Sequence, residues 1–289
     1  MYLCSMVLGR YACSANQSPE RGQMATTYYL SKLELETYRA DGYLIRQSVY
    51  DDGEIESLRL ASDRACQAAL DLAVLGKTYF LDQKRFVDIG YLTVQFEHKL
   101  ETDLVRVIEP VNELDGRYEE LIDDPKLVEP MRSILGVDEL ALWTAKLNLK
   151  PAEEGSSFGW HQDSPYWIHD SQHVDHLPNV MVTFDDATTE NGCLQVIRGS
   201  HLKGCLPGRD DGTQLGGFFT NPKCFEEQDA VAMEVPAGSQ IFFSPHAIHG
   251  SGPNRSRLGR RAIILTYQPA GFAALKSCQV RNVVSRDHV

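Results

Sequence analysis

From Val137 onward the chain becomes a succession of short segments rich in β-branched and aromatic residues, each closed by Gly, Pro, Asn or Asp. Candidate strands cover residues 140–149, 159–162, 180–185, 193–197, 232–235, 239–243 and 262–268. Many short strands punctuated by turns point to a β-sandwich or jelly roll. The part before Val137 has a different texture and reads as mainly helical. Ser31-Lys32-Leu33-Glu34 fits a capping box, with Ser and Glu three apart. The helix it opens is predicted to stop near Asp41-Gly42, and Tyr43-Leu44-Ile45 to form a short strand. Between Glu54 and Leu75, Ile55, Leu58, Ala65, Ala69 and Leu72 recur at helical spacing. Residues 101–122 are predicted helical with an interruption at Pro110, and 125–135 as a short helix stopped by Gly136.

No internal repeat or low-complexity linker divides the chain. Residues 24–289 are therefore expected to form a single domain, with N-terminal helices packed on a β core. Residues 1–23 read as a disordered extension. Their apolar run is too short for a good signal peptide, and Met24 could itself begin the domain. Lys+Arg 28 against Asp+Glu 40 gives a net charge of −12, which repels phosphate backbones and argues against nucleic acid as a partner. No apolar stretch approaches the roughly 18–20 residues that a membrane span needs. The seven cysteines are odd in number, widely spaced and without a CxxC pair, as expected of reduced thiols in a cytoplasmic protein. A monomer or homodimer acting on a small molecule is the expectation.

The segment Phe158-Gly159-Trp160-His161-Gln162-Asp163 carries the first chemistry. Alternate residues of a strand share a face, so His161 and Asp163 would lie about 6.6 Å apart at Cα and could converge on one ion. A third ligand must come from elsewhere, and His249 follows the strand-like 239–243 segment. Two histidines and one carboxylate that leave coordination positions open are the arrangement of non-haem iron(II) oxygenases. A bare His-x-Asp is common by chance. Arg260 adds weight, lying eleven residues after His249 at the start of the apolar run Ala262-Ile263-Ile264-Leu265. An arginine at the start of a core strand needs an anionic partner, and its planar fork suits a carboxylate such as the distal one of 2-oxoglutarate. Arg261 is a rival for that role, and His246 is a rival for the metal. His169, His173 and His176 form a loose cluster that reads as a polar lid. Ser164-Pro165-Tyr166-Trp167 could wall a substrate pocket.

His161-Gln162-Asp163, then Glu190-Asn191-Gly192-Cys193-Leu194, Gly199-Ser200-His201, and His249-Gly250-Ser251-Gly252-Pro253-Asn254 with Arg260 follow one another in an order and spacing that resembles the phytanoyl-CoA dioxygenase family. Asp41-Gly42-Tyr43-Leu44 resembles that family's early Asp-Gly-aromatic turn, so the likeness spans about residues 30–272. The resemblance implies a double-stranded β-helix (a cupin-like jelly roll) that uses iron(II), 2-oxoglutarate and O2. The implied reaction is hydroxylation, or a related oxidation, of an unactivated C–H bond, with 2-oxoglutarate going to succinate and CO2. It implies His161, Asp163 and His249 as iron ligands, Arg260 and Ser251 on the distal carboxylate of 2-oxoglutarate, and Gln162 and Lys146 in the co-substrate pocket. Where the human peroxisomal member has a tryptophan after the His-x-Asp loop, this chain carries Met181, and its 168–177 loop differs too. A small-molecule hydroxylase is therefore expected ahead of an acyl-CoA α-hydroxylase, and both ahead of a non-catalytic metal-binding β-sandwich.

Overall fold

The computed structural model describes residues 28–99 and 101–284; the expectation for residues 1–23 lies outside them. Helix α1 (Lys32–Asp41) opens as predicted. The Ser31 side chain accepts from the Glu34 N–H, and Glu34 reaches back to the Ser31 N–H. It ends at Gly42, whose φ of 82° is left-handed. Strand β1 (Tyr43–Arg46) follows at once. A Cβ on Gly42 would collide with Nδ1 of His201, whose Nε2 lies 3.0 Å from the Arg39 carbonyl. The Gly199 N–H donates to the Asp41 carbonyl at 2.8 Å. Two separated pieces of the sequence pattern are thus one contact. Gly42→Ala is expected to cost about 2 kcal/mol from backbone strain, and more from the collision. A lowered urea midpoint with unchanged slope would register it.

Helix α2 (Asp52–Ala73) carries a second capping box, Asp51 with Glu54, and buries Ile55, Leu58, Ala61, Ala65 and Ala69. The next segment corrects the sequence reading. The first half keeps more helix than strand, but it also carries a meander that the sequence reading lacks: β2 (Lys77–Leu81), β3 (Lys84–Ile89), β4 (Leu92–Phe96) and β5 (Val105–Glu109), all antiparallel. The helix predicted over 101–122 survives only as a 3-10 turn at Val111–Glu113 and the short α3 (Gly116–Leu121). Val-Arg-Val-Ile-Glu is β-branched on both faces and pairs with β4 on one side and the next strand on the other. That pairing outweighs a weak helical pattern. Helix α4 (Pro125–Leu135) has the predicted bounds, with Asp124 at its start and left-handed Gly136 at its end.

The predicted β core is present. It comprises β6 (Leu140–Lys150), β7 (Phe158–His161), the one-turn α5 (Ser164–Trp167), β8 (Asn179–Thr183), β9 (Leu194–Ile197), β10 (Ala230–Ala232), β11 (Gln240–Phe243), β12 (His249–Ser251) and β13 (Arg260–Pro269). The strand expected over 232–235 ends earlier, and Val235 makes only an isolated bridge to Ala187. Among the described residues the strands form two sheets, in the orders β1-β11-β8-β13-β6-β5-β4-β3-β2 and β10-β9-β12-β7. From β6 to β13 the chain passes repeatedly between them, which is the winding of a double-stranded β-helix. The meander extends the larger sheet beyond β6.

Period-two alternation sorts β13. Ile263, Leu265 and Tyr267 pack toward the helices, while Ala262 and Ile264 pack between the sheets. Arg260 shares the second face. The same alternation turns Lys146, Asn148 and Lys150 of β6 away from the core that holds Ala145, Leu147 and Leu149. No helix among the described residues is long and apolar enough to cross a membrane. Cys66, Cys193, Cys205, Cys224 and Cys278 are unbridged.

Candidate metal centre and active site

His161 ends β7 and pairs directly with His249 on β12, with ring centroids 4.1 Å apart. Asp163 follows on the turn into α5. Its N–H and that of Ser164 both donate to the Pro245 carbonyl at 3.0 Å, which ties this turn to the segment leading into β12. One ligand atom from each of His161, Asp163 and His249 lies within 4.8 Å of the others, the one such group among the described residues.

The tautomers suit a metal. His161 Nδ1 is 2.7 Å from the Gly159 carbonyl and His249 Nδ1 is 2.9 Å from the Ala247 carbonyl. A carbonyl can only accept, so each Nδ1 carries a proton, which leaves Nε2 as the nitrogen through which each ring would hold a metal. Burial, then neighbouring His249, hold His161 down to about 3, so it stays neutral. Burial opposes ionisation of Asp163, but His249, Lys146, His161 and the Asn179 amide outweigh it and keep the carboxyl below its usual range. Its Oδ2 accepts from Asn179 Nδ2 at 2.9 Å, and Asn179 Oδ1 accepts from the Thr266 hydroxyl at 2.6 Å. This relay orients the carboxylate.

A cavity of about 520 Å³ opens over this triad. Lys146, Ser251 and Arg260 line it. Arg260 is 2% exposed, makes no ion pair among the described residues, and leaves its Nε without a partner. Burial pulls its guanidinium down to about 10. A buried cation without an anion is costly, which fits a ligand that brings one. Arg261, on the opposite face, is held bidentately by Asp185 at 3.0 Å and is no longer a rival. Lys146 lies 3.9 Å from Glu109 of β5 and over the Trp167 ring.

The resemblance places Gln162 in the co-substrate pocket; the structure does not. Its amide nitrogen donates to the Gly204 and His246 carbonyls, and its oxygen accepts from the Leu206 N–H at 2.8 Å. Lying between two residues that face the cavity, it points the other way and braces loops. His246 also stands apart, bound by Ser164 at 2.8 Å and Asp175 at 2.7 Å. His173 packs on Phe272 and meets Gln268. Tyr166 does wall the cavity, stacked on Phe218 at 4.5 Å, whereas Trp167 packs against Trp143. Sequence reasoning missed Asn179 and the wall that the meander supplies. The runs Lys84–Ile89 and Leu92–Phe96 about Gly90-Tyr91 were the available hairpin signal.

A double-stranded β-helix bearing two imidazoles on paired strands and one carboxylate on the turn that follows defines the class of non-haem iron oxygenases. The family model described as phytanoyl-CoA dioxygenase matches residues 38–262. This chain belongs to the phytanoyl-CoA dioxygenase family. It is 28% identical over 200 residues to L-proline trans-4-hydroxylase of Streptomyces griseoviridis, covering 63% of this chain and 74% of that protein. It is 26% identical over 258 residues to phytanoyl-CoA dioxygenase of Arabidopsis thaliana, covering 84% and 90%. The crystal structure of EctD from S. alaskensis with 2-oxoglutarate and 5-hydroxyectoine shares the fold, with a TM-score of 0.66 at 20% identity over 88% of this chain and 81% of that one. The protein is a non-haem iron, 2-oxoglutarate-dependent dioxygenase that uses iron(II), 2-oxoglutarate and O2.

Proposed function

We propose that this enzyme hydroxylates an unactivated C–H bond of a small organic molecule, with His161, Asp163 and His249 holding the iron and Arg260 and Ser251 anchoring 2-oxoglutarate. The observation that carries the reading is the pairing of a metal-competent triad with a buried, anion-free arginine on the wall of one cavity. Iron(II) bound there with 2-oxoglutarate and O2 supplies an oxidation coupled to release of succinate and CO2. The chain's own part is positional. The two Nδ1–carbonyl bonds fix the imidazole tautomers, and the Thr266–Asn179 relay fixes the carboxylate. Arg260 offers a planar fork and Ser251 a hydroxyl to the far carboxylate of the co-substrate. Lys146 is held back by Glu109, keeping a cation beside the pocket without closing it. Tyr166, Phe218 and Met181 give part of the remaining wall an apolar character.

A volume of about 520 Å³ falls in the range of pockets for small ligands, which favours a small substrate. The proline hydroxylase and the ectoine dioxygenases among its relatives are named for small molecules. Asn179→Ala is expected to weaken iron(II) affinity by about 10–100-fold while leaving the fold intact, because it frees the carboxylate that it orients. Anaerobic iron titration would measure it. The proposed reaction is tested by screening small organic acids, amino acids and neutral metabolites for O2-dependent succinate release. A product sixteen mass units heavier than its substrate, formed in proportion to succinate, supports hydroxylation. A product two mass units lighter points instead to desaturation.

A further inference from the structure

The cavity carries more positive charge than the metal and co-substrate account for. Lys84, Arg106, Lys146, Arg209 and Arg260 line it, against Glu109 and Asp163. Arg106 is spoken for by Glu97 and by the Ser156 and Ser157 carbonyls, Lys146 by Glu109, and Arg260 by the assignment to 2-oxoglutarate. Lys84 and Arg209 remain.

Lys84 makes no ion pair among the described residues. Asp82, the acidic residue two positions before it, is engaged instead by the Gln214 and Leu215 N–H groups at 2.9 and 2.8 Å. Arg209 has one weak partner, Asp211 at 3.5 Å. That carboxylate already accepts from Thr213, and Arg209 Nε makes no hydrogen bond. Both cations lie over one ring: Lys84 Nζ is 5.3 Å and Arg209 Cζ 4.5 Å from the Phe219 centroid. Phe219 is bridged by its backbone to His161. Its carbonyl accepts from the Arg209 N–H at 2.8 Å, and the following Thr220 N–H donates to the Trp160 carbonyl. Gly159 makes room for the ring, since a Cβ there would come within 2.9 Å of it. Partial burial, then Arg106, draw Lys84 below its ordinary value; Asp82 opposes the shift and Arg209 adds to it. Like charges held together with so little counter-charge favour an entering anion. In a chain of net charge −12, such a cationic corner stands against the general acidity.

We propose that the substrate is an acid, a carboxylate or phosphate ester of a small organic molecule, whose anionic group is held by Lys84 and Arg209 beside the Phe219 ring while Tyr166 and Phe218 contact its carbon skeleton. Arg209 supplies a planar fork for two acid oxygens and Lys84 a point charge. The proposal rests on the reading of the triad and Arg260 above.

The test uses the full chain loaded anaerobically with iron(II) and saturating 2-oxoglutarate. The visible charge-transfer band of the chelated keto acid is titrated with benzoate against benzamide, and with phenyl phosphate against phenol. At least one acid is expected to perturb the band, and its neutral partner to need at least tenfold higher concentration. Which acid does so distinguishes carboxylate from phosphate. Lys84→Gln combined with Arg209→Gln should keep the band itself and weaken the acid at least tenfold, and Lys84→Arg should restore part of the affinity. The inference is overturned if no acid perturbs the wild-type band, if neutral partners bind as well, or if the double variant binds the acid unchanged. Absence of the band in the wild-type protein would instead overturn the metal and co-substrate assignment, so the two failures are distinct.

Discussion

Asp163→Ala is expected to lower iron(II) affinity by well over the roughly 100-fold that loss of an outer-shell partner can cost, and to abolish turnover. Asp163 supplies the only carboxylate of the triad, so its removal leaves two neutral imidazoles to hold a dication. The Asn179 amide loses its acceptor as well, and the relay from Thr266 then ends on nothing. The fold should survive, because the turn is held by the Asp163 and Ser164 N–H groups on the Pro245 carbonyl and not by the side chain. Anaerobic equilibrium dialysis gives the iron affinity, and circular dichroism checks the fold. Retention of wild-type affinity by a folded variant would remove Asp163 from the metal site.

Arg260→Met separates stability from function. The guanidinium is buried without an ion pair, so an apolar side chain of similar length should leave the ligand-free protein as stable as before, or more so by about 1 kcal/mol or more. On the proposed assignment of Arg260 to 2-oxoglutarate, the same change would remove two charge-assisted hydrogen bonds to the co-substrate. These are worth roughly 3 kcal/mol or more together, so the 2-oxoglutarate dissociation constant should rise about 100-fold or more. Thermal melts of the ligand-free protein and anaerobic titration with 2-oxoglutarate measure the two effects. A variant that loses stability but binds 2-oxoglutarate normally would make Arg260 a structural residue.

How far these sites could be read from sequence depended on whether the signal was local. Ser31 with Glu34, Gly42 and Gly136 are local instructions, and α1, β1 and α4 follow them. His161 and Asp163 were legible because alternate positions of a strand share a face; β7 in fact ends at His161, and the turn into α5 brings Asp163 round to the same ion site. The same reading expects Gln162 on the other side, and its amide does turn away to the Gly204 and His246 carbonyls and the Leu206 N–H, so the residue-level pattern held information that the family likeness obscured. Alternation likewise parts Arg260 from Arg261, but only once the inward face of β13 is known from its pairing with β6 and β8. Asn179, Lys84 and Arg209 had no local signature. Each reaches the site through packing between segments distant in sequence, and the meander bearing Lys84 gains its meaning by extending the larger sheet over the cavity.

One cavity is assigned to both iron and 2-oxoglutarate. The most direct test of that assignment is the visible spectrum of the metal-free protein after anaerobic addition of iron(II) and then 2-oxoglutarate. A weak charge-transfer band is expected with the wild-type chain, absent in His161→Ala and much reduced at equal 2-oxoglutarate in Arg260→Met. A folded, iron-loaded wild-type protein that gives no band, or a band that persists unchanged in both variants, would contradict the assignment of this cavity.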